Sequence, residues 1–384
     1  MDEVAFARSE EDLATLVSFR SLVERYLDKI PIKDLEATAV GFDEELWQAI
    51  HQQGWMSADI VDVGDVKLRA IALLLSVIGE KACPGPYLSS FSAAALVSTL
   101  GNAEWASSLL KNLQGGIPIG TVGPGLASHE LPQLDDTSSA VDWKDPWKGV
   151  VEWGHLGGPA VVVAQSGSGN FKLVSIETAP LKGEKCIDAE RAAVLHLPTD
   201  LKDKPVALSE AFSYEQFREA MSVVALLRAA SITGGLRAVL SMTSQYVQER
   251  QQFGQPLAKF QAVQHHLANM RVETDAAELS VSKAIECFES GAGFERSSWI
   301  AAFIASRSYE RSVGWATQVH GGIGFTQEYP LQYFFRKARA DKQRLGTVQL
   351  LLSRISEVTG DGDSRPHLYV HTLDSGLERL EAGR

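Results

Sequence analysis

Two short runs in the C-terminal half of this 384-residue chain carry groups able to hold an anionic ligand. The first is Glu249-Arg250-Gln251-Gln252-Phe253-Gly254-Gln255-Pro256-Leu257, continued by Phe260-Gln261. The second is Gln318-Val319-His320-Gly321-Gly322-Ile323-Gly324-Phe325. Arg250 offers a planar, permanently charged fork that suits the oxygens of a pyrophosphate. Gly321 and Gly322 have no Cβ, so their N–H groups can come within hydrogen-bond distance of an anion. Taken singly neither run is specific. An arginine is more often a solvated charge, and Gly-Gly-x-Gly often only ends a helix in a tight turn. Other reactive types offer less. Cys83, Cys186 and Cys287 are isolated and form no CxxC pair, which argues against a disulfide framework or a thiolate zinc site. His265 and His266 sit on adjacent helix positions and point about 100° apart, wrong for a shared metal.

The elements that must position these runs follow from periodicity. Residues 1–117 read as a helical block, with amphipathic runs from Glu11 to Tyr26 and from Phe42 to Gln53, the latter stopped by Gly54. Val66 to Ile78 is apolar nearly all round and reads as a buried helix, ended before Cys83-Pro84-Gly85-Pro86. Ser89 to Leu100 and Ala103 to Leu113 complete the block. Residues 118–208 change character: short apolar runs such as Gly149–Trp153, Ala160–Ala164, Phe171–Ile176 and Ala193–His196 alternate with turn residues, the pattern of a small antiparallel barrel or sandwich. Residues 209–357 return to sustained helical periodicity. Helices to near Gln252, from Gln261 to Glu289 and from Ser297 to His320 imply a bundle. A tail, 358–384, reads as loop.

Composition sets outer limits. Hydrophobic residues at 45% and charged residues at 22% suit a packed globular chain. A net charge of −12 without a basic block speaks against nucleic acid. The N-terminus is acidic with no apolar signal segment, and the longest unbroken apolar stretches fall short of the ~20 residues a membrane span needs. A soluble, cytoplasmic protein with no membrane attachment is expected.

The two runs, with Glu328-Tyr329-Pro330, Arg336-Lys337-Ala338-Arg339 and the order of the blocks, resemble the acyl-CoA dehydrogenase family over nearly the whole chain. The resemblance implies an α+β fold: an N-terminal helical domain, a small middle β-barrel or sandwich and a C-terminal four-helix bundle. It implies a tetramer holding FAD at subunit interfaces, an acyl-CoA substrate, and an electron-transfer flavoprotein as acceptor. It also implies that Arg250, Phe253, Gln261, Gln318, Gly321 and Gly322 reach FAD held mainly by a neighbouring subunit. Thr347 and Gln349 join the cofactor-binding set on the same ground.

The family reaction needs a glutamate to remove the α-proton of the thioester. Many members carry it in a Tyr-Glu-Gly-Thr run; the matching residues here are Arg344-Leu345-Gly346-Thr347, so leucine stands where the base belongs. Other members keep it on the first bundle helix, yet Met221 to Leu227 contains no acid. The family's Thr-Glu-Pro and Gly-Ser-Asp contacts are replaced by Thr121-Val122-Gly123-Pro124-Gly125-Leu126-Ala127-Ser128. Near the flavin ring stands Val150-Val151-Glu152-Trp153-Gly154, where Trp153 is either a ring partner or a buried core residue. Groups acting within a subunit are thus eroded, whereas those reaching a neighbour's FAD are intact. Heterotetramers of this family with one base-lacking chain are known in actinobacterial sterol catabolism. Three readings stand: a base-lacking partner of a glutamate-bearing paralogue, a self-sufficient flavoenzyme using Glu219, Glu152 or Asp341, or a scaffold without flavin.

Overall fold

The computed structural model describes residues 4–359 apart from 28, 63–64, 101–102, 123–130, 136–141, 167–168 and 198–205. The run 123–128 singled out above and the tail beyond Thr359 therefore lie outside the described residues. Helix α1 (Glu10–Leu27) opens on three acids and ends near Arg25, complementing the helix dipole, and Ser9 and Asp12 cap each other's backbone N–H reciprocally. Next come α2 (Ile32–Ala37) and α3 (Glu44–Gln52), where Asp43 accepts the Leu46 N–H at 2.9 Å. A short pair of strands, β1 (Val61–Asp62) and β2 (Asp65–Val66), precedes α4 (Leu68–Glu80), α5 (Tyr87–Leu100) and α6 (Ala103–Gln114). Trp47 is core: its indole N–H donates to the Gly116 carbonyl at 2.8 Å.

The middle segment holds β3 (Gly120–Val122), β4 (Leu134–Asp135), β5 (Asp142–Trp143), β6 (Trp147–Glu152), β7 (Gly158–Gln165), β8 (Phe171–Thr178), β9 (Gly183–Lys185), β10 (Arg191–Leu197) and β11 (Val206–Leu208). They form a four-stranded sheet β11-β8-β7-β3, a three-stranded sheet β6-β10-β9 and the pair β4-β5. The purely antiparallel arrangement expected above needs one correction: β3 runs parallel to β7, Gly120 opposite Ala160. The long connection from β3 to β7 lets the strand return in the same direction. Strand β7 is buried on both faces. Ala160, Val162 and Ala164 meet Val151, Leu195 and Leu197 of the other sheet, while Val161 and Val163 belong to the helical core. That explains its unbroken apolar run.

The last segment is α7 (Tyr214–Glu249), a hairpin β12 (Gln251–Gln252) and β13 (Gln255–Pro256), then α8 (Gln261–Ser290), α9 (Phe294–His320), α10 (Leu331–Leu345) and α11 (Val348–Thr359). Ser213 and Gln216 form a capping box that starts α7. By length and composition α7 could cross a membrane, but its apolar stretch is largely buried against α4, α5, α8 and α9. It is the central core helix. At its crossing with α4 the two backbones touch: a Cβ on Gly234 would lie 1.8 Å from the Ser76 carbonyl oxygen, and one on Gly79 the same distance from that of Ser231. The fold is the one the resemblance implies, two helical regions flanking a β region.

Candidate functional site

The two runs meet at one end of the bundle. Tyr246, in the last turn of α7, stacks on His320 with ring centroids 4.3 Å apart and donates its hydroxyl to the His320 carbonyl at 3.3 Å. The His320 Nδ1–H donates to the Ala316 carbonyl at 2.8 Å, so Nε2 is left to accept the Tyr329 hydroxyl at 3.0 Å. Burial holds the ring below the usual histidine pKa, in keeping with this neutral form. The clamp fixes the 3-10 turn Gly321–Phe325 against the end of α7, four residues from Arg250.

Around the clamp the ligand-type groups face outward. Arg250, Gln261, Gln318, Gly321 and Gly322 are exposed, and nothing lies within 4 Å of where a Cβ would be on either glycine. Phe253 is 90% exposed at φ +54°, on the turn between β12 and β13, with the Phe260 ring edge-on at a centroid distance of 6.0 Å. A bulky aromatic in the left-handed region and in water is costly on both counts, and such strain recurs at ligand sites. An exposed cation, a presented aromatic and an open glycine turn fit a dinucleotide that approaches from outside the chain.

Thr347 and Gln349 are elsewhere. The Thr347 hydroxyl accepts the Leu350 N–H at 3.2 Å and starts α11, which leads toward the opposite end of α7, where Arg354 donates to the Tyr214 hydroxyl at 2.8 Å. The structure thus brings six of the eight expected cofactor residues together and sets these two apart.

Leu345, the residue that the sequence resemblance aligns with the family's base, is 0% exposed. Around it lies a buried ionic cluster that joins the sheet to the bundle. Arg344 pairs with Glu152 at 2.9 Å and forks onto Asp188, with its second contact at 3.3 Å. Arg228 on α7 pairs with Asp341 at 3.0 Å and Glu152 at 3.4 Å. Lys337 stands 3.9 Å from Asp341. Arg344 is held well above its ordinary range by these carboxylates, chiefly Asp188, which outweigh the opposing effect of its burial. Sequence reasoning missed Asp188 and Arg228, and met Lys337 only inside a motif, because only folding brings these residues together with Glu152, Asp341 and Arg344.

Each alternative base fares poorly. Glu219 is exposed, early on α7, while Glu152 and Asp341 are committed to ion pairs with the guanidinium groups of Arg228 and Arg344 that join the sheet to the bundle. Trp153 resolves as core: it is 3% exposed and edge-on to Phe42 at 5.4 Å. From Arg228 to Arg250 is 22 residues of α7, about 33 Å at helical rise. One reacting atom cannot touch both places.

Residues 214–359 match the family described as acyl-CoA dehydrogenase, C-terminal domain. Over 354 residues the chain is 25% identical to acyl-CoA dehydrogenase IpdE2 of Mycolicibacterium smegmatis, covering 90% of this chain and 98% of that one. Among solved structures, the ChsE4-ChsE5 complex from Mycobacterium tuberculosis matches with a TM-score of 0.81 at 20% identity, covering 94% of this chain and all of the matched one. A Tcur3481-Tcur3483 steroid ACAD variant matches at 0.77 and 22%, covering 92% and 98%. Residues 214–359 thus carry the acyl-CoA dehydrogenase C-terminal domain, and along nearly its whole length the chain is similar to acyl-CoA dehydrogenases, a family of FAD-dependent oxidoreductases.

Proposed function

We propose that this chain is the base-lacking subunit of a heteromeric acyl-CoA dehydrogenase, and that it completes an FAD site on a glutamate-bearing paralogue. The observation that carries the reading is the division just described. The position aligned with the family's base is a leucine sealed beside an ionic cluster, while about 33 Å away along α7 Arg250, Phe253, Gln261, Gln318, Gly321 and Gly322 stay exposed. Two solved relatives are described by paired subunit names, and one of them as a steroid enzyme. Both support a two-chain assembly, and the steroid enzyme supports a steroid side-chain acyl-CoA thioester as the substrate class.

In the assembly Arg250, Gln261, Gln318, Gly321 and Gly322 would hold the pyrophosphate and adenine end of FAD, Arg250 by its charge and the glycines by their open backbone N–H groups. Phe253 covers apolar surface of the cofactor. Bound FAD would supply the hydride acceptor for α,β-dehydrogenation, and the proton would leave to the paralogue's glutamate. Thr347 and Gln349 would belong to the chain's own, separate face. Electron-transfer flavoprotein as acceptor and a cytoplasmic location complete the proposal.

Co-expression with candidate paralogues tests it. The expected result is a 1:1 complex that desaturates an acyl-CoA, with the isolated chain inactive. Dehydrogenation by the isolated chain at a rate matching the complex would refute the reading. Flavin bound in the complex, and lost in Arg250→Ala, separates it from a flavin-free scaffold.

A further inference from the structure

The cofactor face runs on into an open surface along the bundle. On α8 the outward positions after Gln261 are His265, Ala268, Val272 and Leu279, spaced by three, four or seven residues. All are exposed, Val272 by 67% and Leu279 by 63%. Seven residues return a helix to nearly the same side, so from Gln261 to Leu279 these groups form one stripe about 27 Å long. On α9 the exposed Arg307, Arg311, Gly314 and Gln318 form a second stripe, which ends at Gly321. The two adjoin, because Arg311 pairs with Glu273 of α8 at 2.7 Å. On the other flank of α8, Arg271 pairs with Asp275 at 2.9 Å. Val272 and its neighbours thus lie between two ion pairs, the arrangement of a helix seam.

The glycines inside α-helices point to the same place. Gly79 and Gly234 make the α4–α7 crossing, and a Cβ on Gly235 would lie 2.5 Å from the Tyr309 hydroxyl oxygen. Gly314, in the middle of α9, has nothing within 4 Å of that position. A glycine inside a helix is destabilising, and no close approach within this chain accounts for this one. We propose that the α8 stripe and Gly314 form the seat of a helix from the glutamate-bearing paralogue. The proposal rests on the two-chain reading above and adds where the second chain lies. Continuity identifies the occupant: a chain whose FAD meets Gln261, Gln318 and Gly321 must stand at this end of the bundle, and the apolar stripe leads from there along α8. The seven-residue spacing of Val272 and Leu279 fits a helix, and the missing side chain at 314 lets its backbone come close. Beside the stripe a cavity of about 620 Å³ opens between α7 and α8, with Leu240, Leu267 and Ala268 among its walls, and can take side chains of the incoming helix.

Two variants of the full chain, each combined with the paralogue, test the seat. Val272→Glu with Leu279→Arg puts charge on the stripe, and Gly314→Leu fills the gap on α9. All three positions are exposed, so each isolated variant should melt within about 2 °C of wild type, and Gly314→Leu no lower than wild type. The Kd of the complex, read by analytical ultracentrifugation, should rise at least about ten-fold in both. Val17→Glu, at an exposed apolar position of α1, should assemble as wild type does. Wild-type affinity in either seat variant overturns the proposal, and leaves the two-chain reading standing if the wild-type complex desaturates an acyl-CoA. A wild-type chain that pairs only with copies of itself overturns both.

Discussion

Leu345, which the sequence resemblance aligns with a catalytic glutamate, is part of the packed interior, fully enclosed with Arg344 locked onto Glu152 and Asp188 beside it. Restoring the carboxylate is therefore expected to fail in a specific way. Leu345→Glu should lower stability by about 3 kcal/mol or more, read by denaturant titration, and produce no dehydrogenation, because the new charge is buried without a partner. Arg250→Ala, by contrast, should leave stability within about 0.5 kcal/mol, since the side chain is exposed, while weakening flavin retention in the complex ten-fold or more. His51 gives a separate acid-side signal. Burial beside Trp47 takes it down to about 4, so the unfolded chain takes up a proton near pH 6.5 that the folded chain refuses. Stability should then fall as pH drops from 6.5 towards 4, and His51→Gln should flatten that slope in melting curves.

The elements show what a single sequence makes legible. The long helices were readable to within a few residues because apolar positions recur every three or four along α7, α8 and α9. Strands β9 and β11 escaped notice: each is three residues long, and β9 is polar and wholly exposed, so no alternation marks them. The β12–β13 hairpin was hidden inside a stretch read for its chemistry, although that hairpin is what presents Phe253. Nothing in the local sequence marks the role of Gly79 and Gly234; only the α4–α7 crossing explains both. Gly234→Ala should cost at least ~3 kcal/mol in a denaturation series, because a methyl group there meets backbone that cannot turn aside. An alanine at Gly322, which has open space around it, should cost far less.

At the scale of the molecule, three regions are tied by polar links that no local pattern reveals. Arg237 on α7 pairs with Glu278 at 2.6 Å and reaches Glu80 at 3.5 Å, while Arg20 on α1 holds Glu80 at 2.9 Å. Arg336 on α10 forks onto Glu36 at 2.9 Å through both nitrogens. The motif residues of the candidate cofactor face were legible because they lie close together in the chain. The ionic cluster was not, since its members span residues 152 to 344. Unfolding of the full chain should accordingly be one cooperative transition, with fluorescence of the N-terminal Trp47 and of the bundle's Trp299 lost together; two separated transitions would show that these links are weak.

Helix α7 is oily enough to be mistaken for a membrane segment, and what hides it is made earlier on the ribosome: α4 and α5 precede it by more than a hundred residues. The order of synthesis thus prepares a cover before the greasy core emerges. A fragment starting at residue 209 would be born without that shelter and should collect in inclusion bodies or on chaperones. Supplying residues 1–208 as a separate polypeptide in the same cell should bring it back into solution.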